Sequence, residues 1–308
     1  MAVTWPDDVD EILAGDLAAG FAYLTPAKGV VITPMAPLGL RDRERGQVTV
    51  TTSLALWKKL DRIRRHSGVA LIYHARDHGF SDRPGFVVVQ GRASFDRDPD
   101  REWLESITPE WERFLGPRVR GPAARLLDVY YWQRVAVSVA VERVVVWPDG
   151  TGEGAAAVHG GQLPEAPPPQ RPPGGGTSAR VPLEKLVADV ERLPHSLLGW
   201  SGADEMPYAT PVRGAVAADG AVELDVPRGA VPEGGRRAGL TAHRFQPRMI
   251  GQEQRVYTGW LEVDGDRVTY APHTRAGYRL PGSKAAFVLG SASLETRMKA
   301  SRRAGIAR

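Results

Sequence analysis

Hydroxyl and basic side chains lie close together in the segment Val50–Tyr73, which has the sequence VTTSLALWKKLDRIRRHSGVALIY. A strand-like run ends in three hydroxyl residues, and the helical pattern that follows carries five basic ones. They are Thr51, Thr52 and Ser53, then Lys58, Lys59, Arg62, Arg64 and Arg65. Hydroxyls and backbone N–H groups at a strand end, with Lys or Arg on the next helix, can bind a phosphate. A helix this basic is also common as a solvated surface, so the pattern alone leaves both interpretations open.

A second polar stretch, Ala242–Trp260, reads AHRFQPRMIGQEQRVYTGW. It places His243, Arg255 and Trp260, with other polar residues, on neighbouring predicted strands and a loop. These side chains either supply a second wall to the site of the first segment or are ordinary strand-end and loop residues.

The sequence lacks the residues that several other kinds of chemistry require. The chain has no cysteine, which excludes disulfides, zinc ribbons, iron–sulfur clusters and a thiol nucleophile. His74 and His78 are four residues apart, but they leave a strand for a turn, so we expect no metal site. No Gly-x-Gly-x-x-Gly turn opens a helix after a strand, and neither a Walker-type lysine loop nor a Gly-x-Ser-x-Gly elbow is present. No carboxylate pair suited to hydrolysis stands out.

Composition is that of a globular chain of 308 residues, with 25% charged and 42% hydrophobic residues. The 34 glycines and 25 prolines indicate many turns or a long linker, and they argue against a helical bundle. The net charge is +4 and both signs are interspersed, so we expect no nucleic-acid partner. No apolar run approaches the roughly 18 residues of a membrane span. With an acidic N-terminus unlike a signal peptide, the sequence predicts a cytoplasmic location.

The first half predicts a mainly β domain. A helix near the N-terminus is followed by six runs rich in Val, Ile and Tyr, with helices at 57–66 and 101–115 and around 125–132. The runs are 21–25, 29–35, 47–52, 69–74, 86–95 and 135–146. Six strands with few helices and short turns favour an antiparallel barrel over a parallel βαβ sheet.

The second half repeats this order of elements. A helix at 183–193 precedes strand-like runs at 196–200, 208–216, 221–226, 239–245, 254–263 and 267–271. The counterpart of the basic helix shrinks to the Pro- and Gly-bearing piece Pro232–Arg237. We therefore predict an internal duplication in which only the first half keeps a phosphate helix.

Four segments follow from this pattern. Residues 1–149 form the first domain, and the Pro/Gly-rich stretch 150–180 is expected to be a linker, partly extended and partly flexible. Residues 181–293 form a second, degenerate domain. Residues 294–308 form a basic C-terminal tail, which we expect to be solvated, with contact to an anionic partner as the alternative.

The first half also resembles a known family. The runs FAYLTPAKGVVITPMAP, TVTTSLALWKKLDRIRRHSGVALIY, GFVVVQGRASF and YYWQRVAVSVAVERVVVWPDG are similar to the pyridoxamine-phosphate-oxidase-like family, above all its deazaflavin-dependent branch. The likeness covers about residues 8–150. Its typical segment, a strand ending in Thr or Ser, a Lys, an Arg-rich stretch and a Val-Ala-Leu strand, falls on Thr52, Lys59, Arg62–Arg65 and Val69–Leu71.

The resemblance implies two tandem six-stranded split β-barrels, mainly β with flanking helices, that form a pseudo-dimer within one chain. It implies FMN, or a deazaflavin coenzyme, at the interface of the two barrels. The expected cofactor contacts are Ile32, Thr33, Pro34, Thr51, Thr52, Ser53, Lys58 and Lys59, with His243, Arg255 and Trp260 from the second barrel. Trp57 departs from the family, since many relatives carry Arg or Lys there, and this bears on the identity of the cofactor.

The predicted function is a flavin- or deazaflavin-dependent oxidoreductase that acts on a small planar or conjugated substrate. Such a cofactor carries the hydride chemistry itself, which agrees with the lack of an acid–base constellation and leaves catalytic residues unassigned. The alternative is a non-catalytic binding protein for a flavin, haem or related planar ligand. The expected state is a monomer with its internal pseudo-dimer, or a homodimer.

Overall fold

A computed structural model describes residues 2–119, 121–249, 251–280, 282 and 293–308. The part of the predicted second domain at 283–292 lies outside the described residues. Two antiparallel sheets dominate the fold. The first contains β1 (Ala18–Leu24), β2 (Val30–Met35), β3 (Arg41–Asp42), β4 (Gln47–Ser53), β5 (Gly68–Ala75), β6 (Phe86–Ser94), β7 (Arg134–Trp147) and β8 (Ala157–Gly160).

The second sheet lies wholly in the second half of the chain. It contains β9 (His195–Ser201), β10 (Pro207–Pro211), β11 (Gly214–Ala218), β12 (Ala221–Asp225), β13 (Arg236–Arg244), β14 (Glu253–Asp264) and β15 (Arg267–Arg279). The sequence predicted the long strands of both sheets, but the single run expected at 208–216 forms two strands, β10 and β11. The sequence analysis missed the two-residue strand β3, because two residues carry no alternation to detect.

The helices are short. They are α1 (Asp7–Gly15), α2 (Trp57–Arg65), α3 (Arg101–Ser106), α4 (Thr108–Leu115), α5 (Asp128–Tyr131), α6 (Leu183–Arg192) and α7 (Ser293–Arg303). Within the described part of the chain, no helix combines the length and apolar character that crossing a membrane requires.

The two sheets have the same topology. The first has the order β2-β1-β5-β6-β7-β4-β3, with β8 added beside β7, and the second has the order β10-β9-β13-β14-β15-β12-β11. Strand for strand these orders are identical. The fold is therefore mainly β, with two tandem split barrels, and each barrel has seven strands in this path rather than the six expected, because a short edge strand is added.

A β-bulge at equivalent residues of the two barrels supports the duplication. The register shifts between Gln90 and Gly91 where β6 pairs with β7, and between Thr258 and Gly259 where β14 pairs with β15. A Cβ on Gly91 would lie 2.1 Å from the Ala140 carbonyl oxygen, and a Cβ on Gly259 would lie 2.2 Å from that of Ala271. Both barrels thus bring the backbone of the neighbouring strand against a glycine at the same place in the bulge.

The barrels pack around a pseudo-two-fold axis. Strand β2 contacts β9, β13 and β14, and its counterpart β10 contacts β1, β5 and β6 in return. Ile32 and Ile72 of the first barrel and Leu197 of the second share one apolar cluster. Lys28 and Glu205, which occupy equivalent turn positions, form an ion pair of 2.8 Å across the contact. The chain is thus its own pseudo-dimer, with the reciprocal contacts of an isologous interface.

Two equivalent histidines also meet at this interface. His74 on β5 and His243 on β13 have their Nε2 atoms 2.8 Å apart. His74 Nδ1 lies 3.0 Å from the Ile72 carbonyl oxygen, so Nδ1 carries the proton and Nε2 accepts from His243. Burial, with the nearby His195 ring, lowers the pKa of His74 to about 3. Burial and both neighbouring rings hold the pKa of His243 well below its usual value.

This pair predicts a loss of stability in acid. Below about pH 6.5 the unfolded chain protonates both rings, whereas the folded protein keeps them neutral, so the free energy of unfolding should fall by about 1.4 kcal/mol per pH unit and ring. Replacing His243 by Gln keeps a donor to His74 and removes one titrating ring. Urea unfolding at pH 7.5, 6 and 5 should show a smaller slope for His243→Gln, since the other ionisable side chains that face the pair, His195, Asp77 and Arg76, are unchanged. Equal slopes would contradict the assignment.

The segment between the barrels, residues 150–180, is hydrogen-bonded to both of them. Residues Ala157–Gly160 form β8 on the edge of β7. The Gln170 backbone N–H donates to the Gly235 carbonyl oxygen at 2.7 Å, and its side-chain oxygen accepts from the Arg237 backbone N–H at 3.1 Å. Composition predicted only an extended and flexible linker, because it gives no sign of where the backbone of a Pro/Gly-rich stretch finds hydrogen bonds.

Candidate functional site

The end of β4 buries the three predicted hydroxyl residues. Thr51, Thr52 and Ser53 are each at most 3% exposed. Ser53 Oγ accepts a hydrogen bond from the Ala55 backbone N–H at 3.2 Å and caps the 3₁₀ turn Leu54–Leu56, which leads into α2. Thr52 Oγ1 is buried and has no hydrogen-bond partner among the described residues. A buried hydroxyl without a partner is costly, so Thr52 marks a place for a polar ligand or water.

Helix α2 separates its basic residues. Lys59 is 8% exposed and lies beside the buried Leu60 and Ile63, whereas Lys58 points to solvent. Arg64 and Arg65 form ion pairs with Asp61 on the surface. One face of the basic helix is therefore a solvated surface, and the other face, with Lys59, is buried at the predicted phosphate site. Of the predicted lysine contacts, Lys59 lies inside the site and Lys58 outside it.

Arg134 joins this site and was missed by the sequence analysis. Residue pairing places it opposite Ser53, at the start of β7. Its guanidinium donates to Thr51 Oγ1 at 2.8 Å and to the Thr51 carbonyl oxygen at 3.2 Å. Only the antiparallel pairing of β7 with β4 brings Arg134 to this site, and the local sequence around Arg134 does not show that pairing.

The site has uncompensated positive charge. Burial, followed by repulsion from Arg134, lowers the pKa of Lys59 to about 8, and burial also lowers the pKa of Arg134. The Lys59 ammonium lies 5.7 Å from the centre of the Phe21 ring. Among the described residues, neither cation has an ion pair with a carboxylate. Buried charges in proteins are normally paired, so this arrangement is suited to an anion that the protein itself does not supply. We call Thr51, Lys59 and Arg134 the anion anchor. Thr52 stays a predicted contact, because neighbouring residues of a strand face opposite sides and no contact joins Thr52 to Arg134 among the described residues.

The predicted ring-side strand, β2, lies in the contact between the barrels. Ile32 is fully buried, and its carbonyl oxygen accepts from Thr241 Oγ1 at 2.7 Å. Thr33 is half-buried and donates to the Phe21 carbonyl oxygen at 3.4 Å, while Pro34 is buried. Phe21 also lies under Lys59. Phe21 of β1 therefore contacts both Thr33 and Lys59. The role of Ile32, Thr33 and Pro34 beside the ring of a cofactor stays a prediction.

His243 and Trp260 of the second barrel were expected to form a wall of the site, but each has other contacts. His243 is held by His74 at the pseudo-two-fold axis, since the two occupy equivalent positions. Trp260 lies beyond the Gly259 bulge, where its indole N–H donates to Glu262 at 2.8 Å and its ring faces Arg237. Among the described residues neither side chain contacts the anchor, and their role toward a cofactor stays a prediction.

Arg255, the third predicted contact from the second barrel, is held by residues of that barrel. It forms an ion pair with Glu253 at 2.5 Å and donates to the Tyr278 carbonyl oxygen at 3.0 Å. Burial raises the pKa of Tyr130, and the Tyr278 phenol of the second barrel adds to the rise. The Tyr130 carbonyl oxygen accepts from Arg134 at 3.4 Å, so Tyr130 lies beside the anchor.

The C-terminal segment covers the anchor elements. Helix α7 contacts the turn Leu54–Leu56 together with α2 and α5. Met298 and Ile306 are buried in the core of the first barrel, and Arg308 pairs with Asp98 at 2.7 Å. The expectation of a solvated tail is therefore wrong. Its basic residues face outward, but the apolar residues between them have the helical spacing of a packed face.

The equivalent place in the second barrel has no anion anchor. Val48 pairs with Val139 in the first barrel, and Val222 pairs with Tyr270 at the same register in the second. Counting along these strands puts Asp225 at the position of Thr51 and Gly265 at the position of Arg134. The segment 226–235, all of it described, contains no helix. A carboxylate where the first barrel has a hydroxyl, with neither buried cation, makes this place unsuited to phosphate.

Fold and site together define a tandem split-barrel protein with one anion anchor. Comparison with solved structures gives weak likenesses to proteins of related description. A Clostridium acetobutylicum protein of the pyridoxinephosphate oxidase family is 12% identical, with 49% of this chain and 90% of that one covered and a TM-score of 0.35. A pyridoxamine 5'-phosphate oxidase-related, FMN binding protein of Nostoc punctiforme is 9% identical, with 63% and 85% covered and a TM-score of 0.29.

A third neighbour is a NimC/NimA family protein of Clostridium acetobutylicum, 11% identical, with 49% of this chain and 86% of that one covered and a TM-score of 0.31. Two of these neighbours are described as pyridoxine- or pyridoxamine-phosphate-oxidase proteins, the family that the sequence resembles. No family model matches the chain, and the search of curated proteins found no match. The fold assignment therefore stands on the chain's own strand order and duplicated bulge.

Proposed function

We propose that the protein binds one phosphate-bearing flavin-type cofactor at the anion anchor and uses it for redox chemistry on a small planar or conjugated substrate. The observation that carries the proposal is the buried Lys59 with the half-buried Arg134, neither of which has a carboxylate partner among the described residues. A phosphate would supply the missing negative charge, and a charge-assisted hydrogen bond to it is stronger than a neutral one.

The residues present fit such a group. Lys59 and Arg134 would hold the phosphate, and Thr52, whose Oγ1 lacks a partner among the described residues, is a further predicted contact. Thr51 orients the Arg134 guanidinium through its hydroxyl and carbonyl oxygens. A flavin or deazaflavin, when bound, supplies hydride transfer. FMN is the proposed cofactor, and a deazaflavin coenzyme is the alternative.

An absorption spectrum tests this proposal. The full chain, purified or mixed with FMN and freed of excess by gel filtration, should show flavin bands that bleach with a reductant and return when an oxidised acceptor is added. A deazaflavin would give its own bands at shorter wavelength. Bands that bleach but return no faster than those of free FMN would favour the non-catalytic binder. A protein that retains neither cofactor would contradict the proposal.

A further inference from the structure

A cavity of about 390 Å³ lies at the second contact between the barrels, away from the anion anchor. Strand β10 of the second barrel meets β6 and β7 of the first there, and the inter-barrel segment covers the space with Leu163, Pro164 and Pro167. Tyr208 and Thr210 of this wall occupy the positions that Val31 and Thr33 occupy in the first barrel. The cavity is thus the pseudo-symmetric partner of the region beside the anchor.

The walls of the cavity are flat and aromatic. The rings of Trp200 and Tyr208 are stacked, with centroids 6.3 Å apart and planes 22° from parallel. Trp147, Val88 and Val145 of the first barrel line the space as well. Pockets of this size and lining take small molecules, whereas benzene needs a cavity of only about 150 Å³. Aromatic walls gain most from a planar aromatic ligand.

The arginines around the cavity are ion-paired, in contrast to the cations of the anion anchor, and the carboxylate in its lining, Glu165, is exposed to solvent. Arg143 forms an ion pair with Asp204 at 2.7 Å and donates to Gln90 Oε1 at 2.7 Å. Arg228, which lines the mouth, pairs with Asp266 at 2.8 Å. With Asp225 in place of Thr51 nearby in the second barrel, the site has nothing to neutralise a phosphate. A ligand without net charge therefore suits it best.

We propose that this cavity is a second ligand site, for an uncharged planar aromatic molecule of two or three rings. It is separate from the anion anchor and does not depend on the identity of the cofactor there. The duplication makes the two places equivalent. One keeps an anion anchor, and the other has lost it and is enclosed by the inter-barrel segment.

The test uses N-phenyl-1-naphthylamine, a neutral aromatic probe whose fluorescence rises in apolar surroundings. Titration of the full chain should give one saturable site. Ala230→Phe and Ala156→Phe place a ring in the cavity from two different segments, and each should weaken probe binding at least tenfold. Ala217→Phe, at an exposed position of β11 away from the cavity, is the matched control and should bind as the parent does. Melting curves of all three variants confirm folding.

Separation from the anchor is tested in the same titration. Lys59→Met and excess FMN should both leave probe binding unchanged. Displacement of the probe by FMN, or loss of probe binding in Lys59→Met, would overturn the proposal of a separate site without bearing on the anion anchor. No saturable probe binding, or equal affinity in both cavity variants and the control, would overturn it outright.

Discussion

Lys59→Met is expected to weaken FMN binding by about 1–3 kcal/mol, the range for losing a charge-assisted hydrogen bond to a partly buried anion. Methionine keeps the length of the side chain, and its apolar packing over Phe21, and removes only the charge. Fold stability without cofactor should stay the same or rise, because a buried cation without a carboxylate partner among the described residues is removed. Fluorescence titration with FMN and urea unfolding measure the two effects.

Lys58→Met is the matched control, since Lys58 is the exposed neighbour on the same helix and should leave affinity unchanged. Thr52→Val should act in the same direction as Lys59→Met and more weakly. Affinity in the parent protein should decline as the pH rises past about 8, where Lys59 loses its proton, and this decline should be absent in Lys59→Met. Equal affinities of Lys59→Met and Lys58→Met would remove Lys59 from the anchor.

Gly91→Ala and Gly259→Ala are each expected to destabilise the protein by about 3 kcal/mol, the upper range for overpacking a well-packed site. The added Cβ would lie 2.1 Å from the Ala140 carbonyl oxygen in one barrel and 2.2 Å from that of Ala271 in the other. Backbone held by a sheet cannot retreat as a flexible side chain can. Urea unfolding followed by circular dichroism measures the loss.

Gly214→Ala is the control for both glycine variants. Gly214 also lies in a strand, β11, but a Cβ there would meet nothing nearer than the Asp225 Cβ at 3.7 Å. It should change stability by less than about 0.5 kcal/mol. A tolerated Gly91→Ala would mean that the bulge relaxes, and the residue-level evidence for duplication would lose its physical basis.

The sequence predicted the long strands well, because their signal is local. Runs such as 86–95 and 135–146 are rich in Val at strand spacing, and the structure places β6 and β7 there within a residue or two. The lost helix of the second barrel was also visible, since Pro232, Gly234 and Gly235 cannot continue one. Duplication could be predicted from the order of elements, but its residue-level equivalence required the strand pairing.

The missed features depend on distant parts of the chain. Arg134 reaches Thr51 only because β7 pairs with β4, 83 residues away. His74 and His243 meet only because the barrels pack about a pseudo-two-fold axis. The C-terminal helix was taken for a solvated tail because its charges dominate its composition. Its buried Met298 becomes meaningful only once the first barrel presents an apolar surface to it.

We propose that one chain holds one phosphate-bearing cofactor, at the anchor of the first barrel. Isothermal titration calorimetry of the full chain with FMN measures this directly, as the number of sites per chain. We predict one site, which the double variant Lys59→Met and Arg134→Met abolishes while the protein stays folded. Two equal sites per chain, or one site that the double variant retains, would contradict the account.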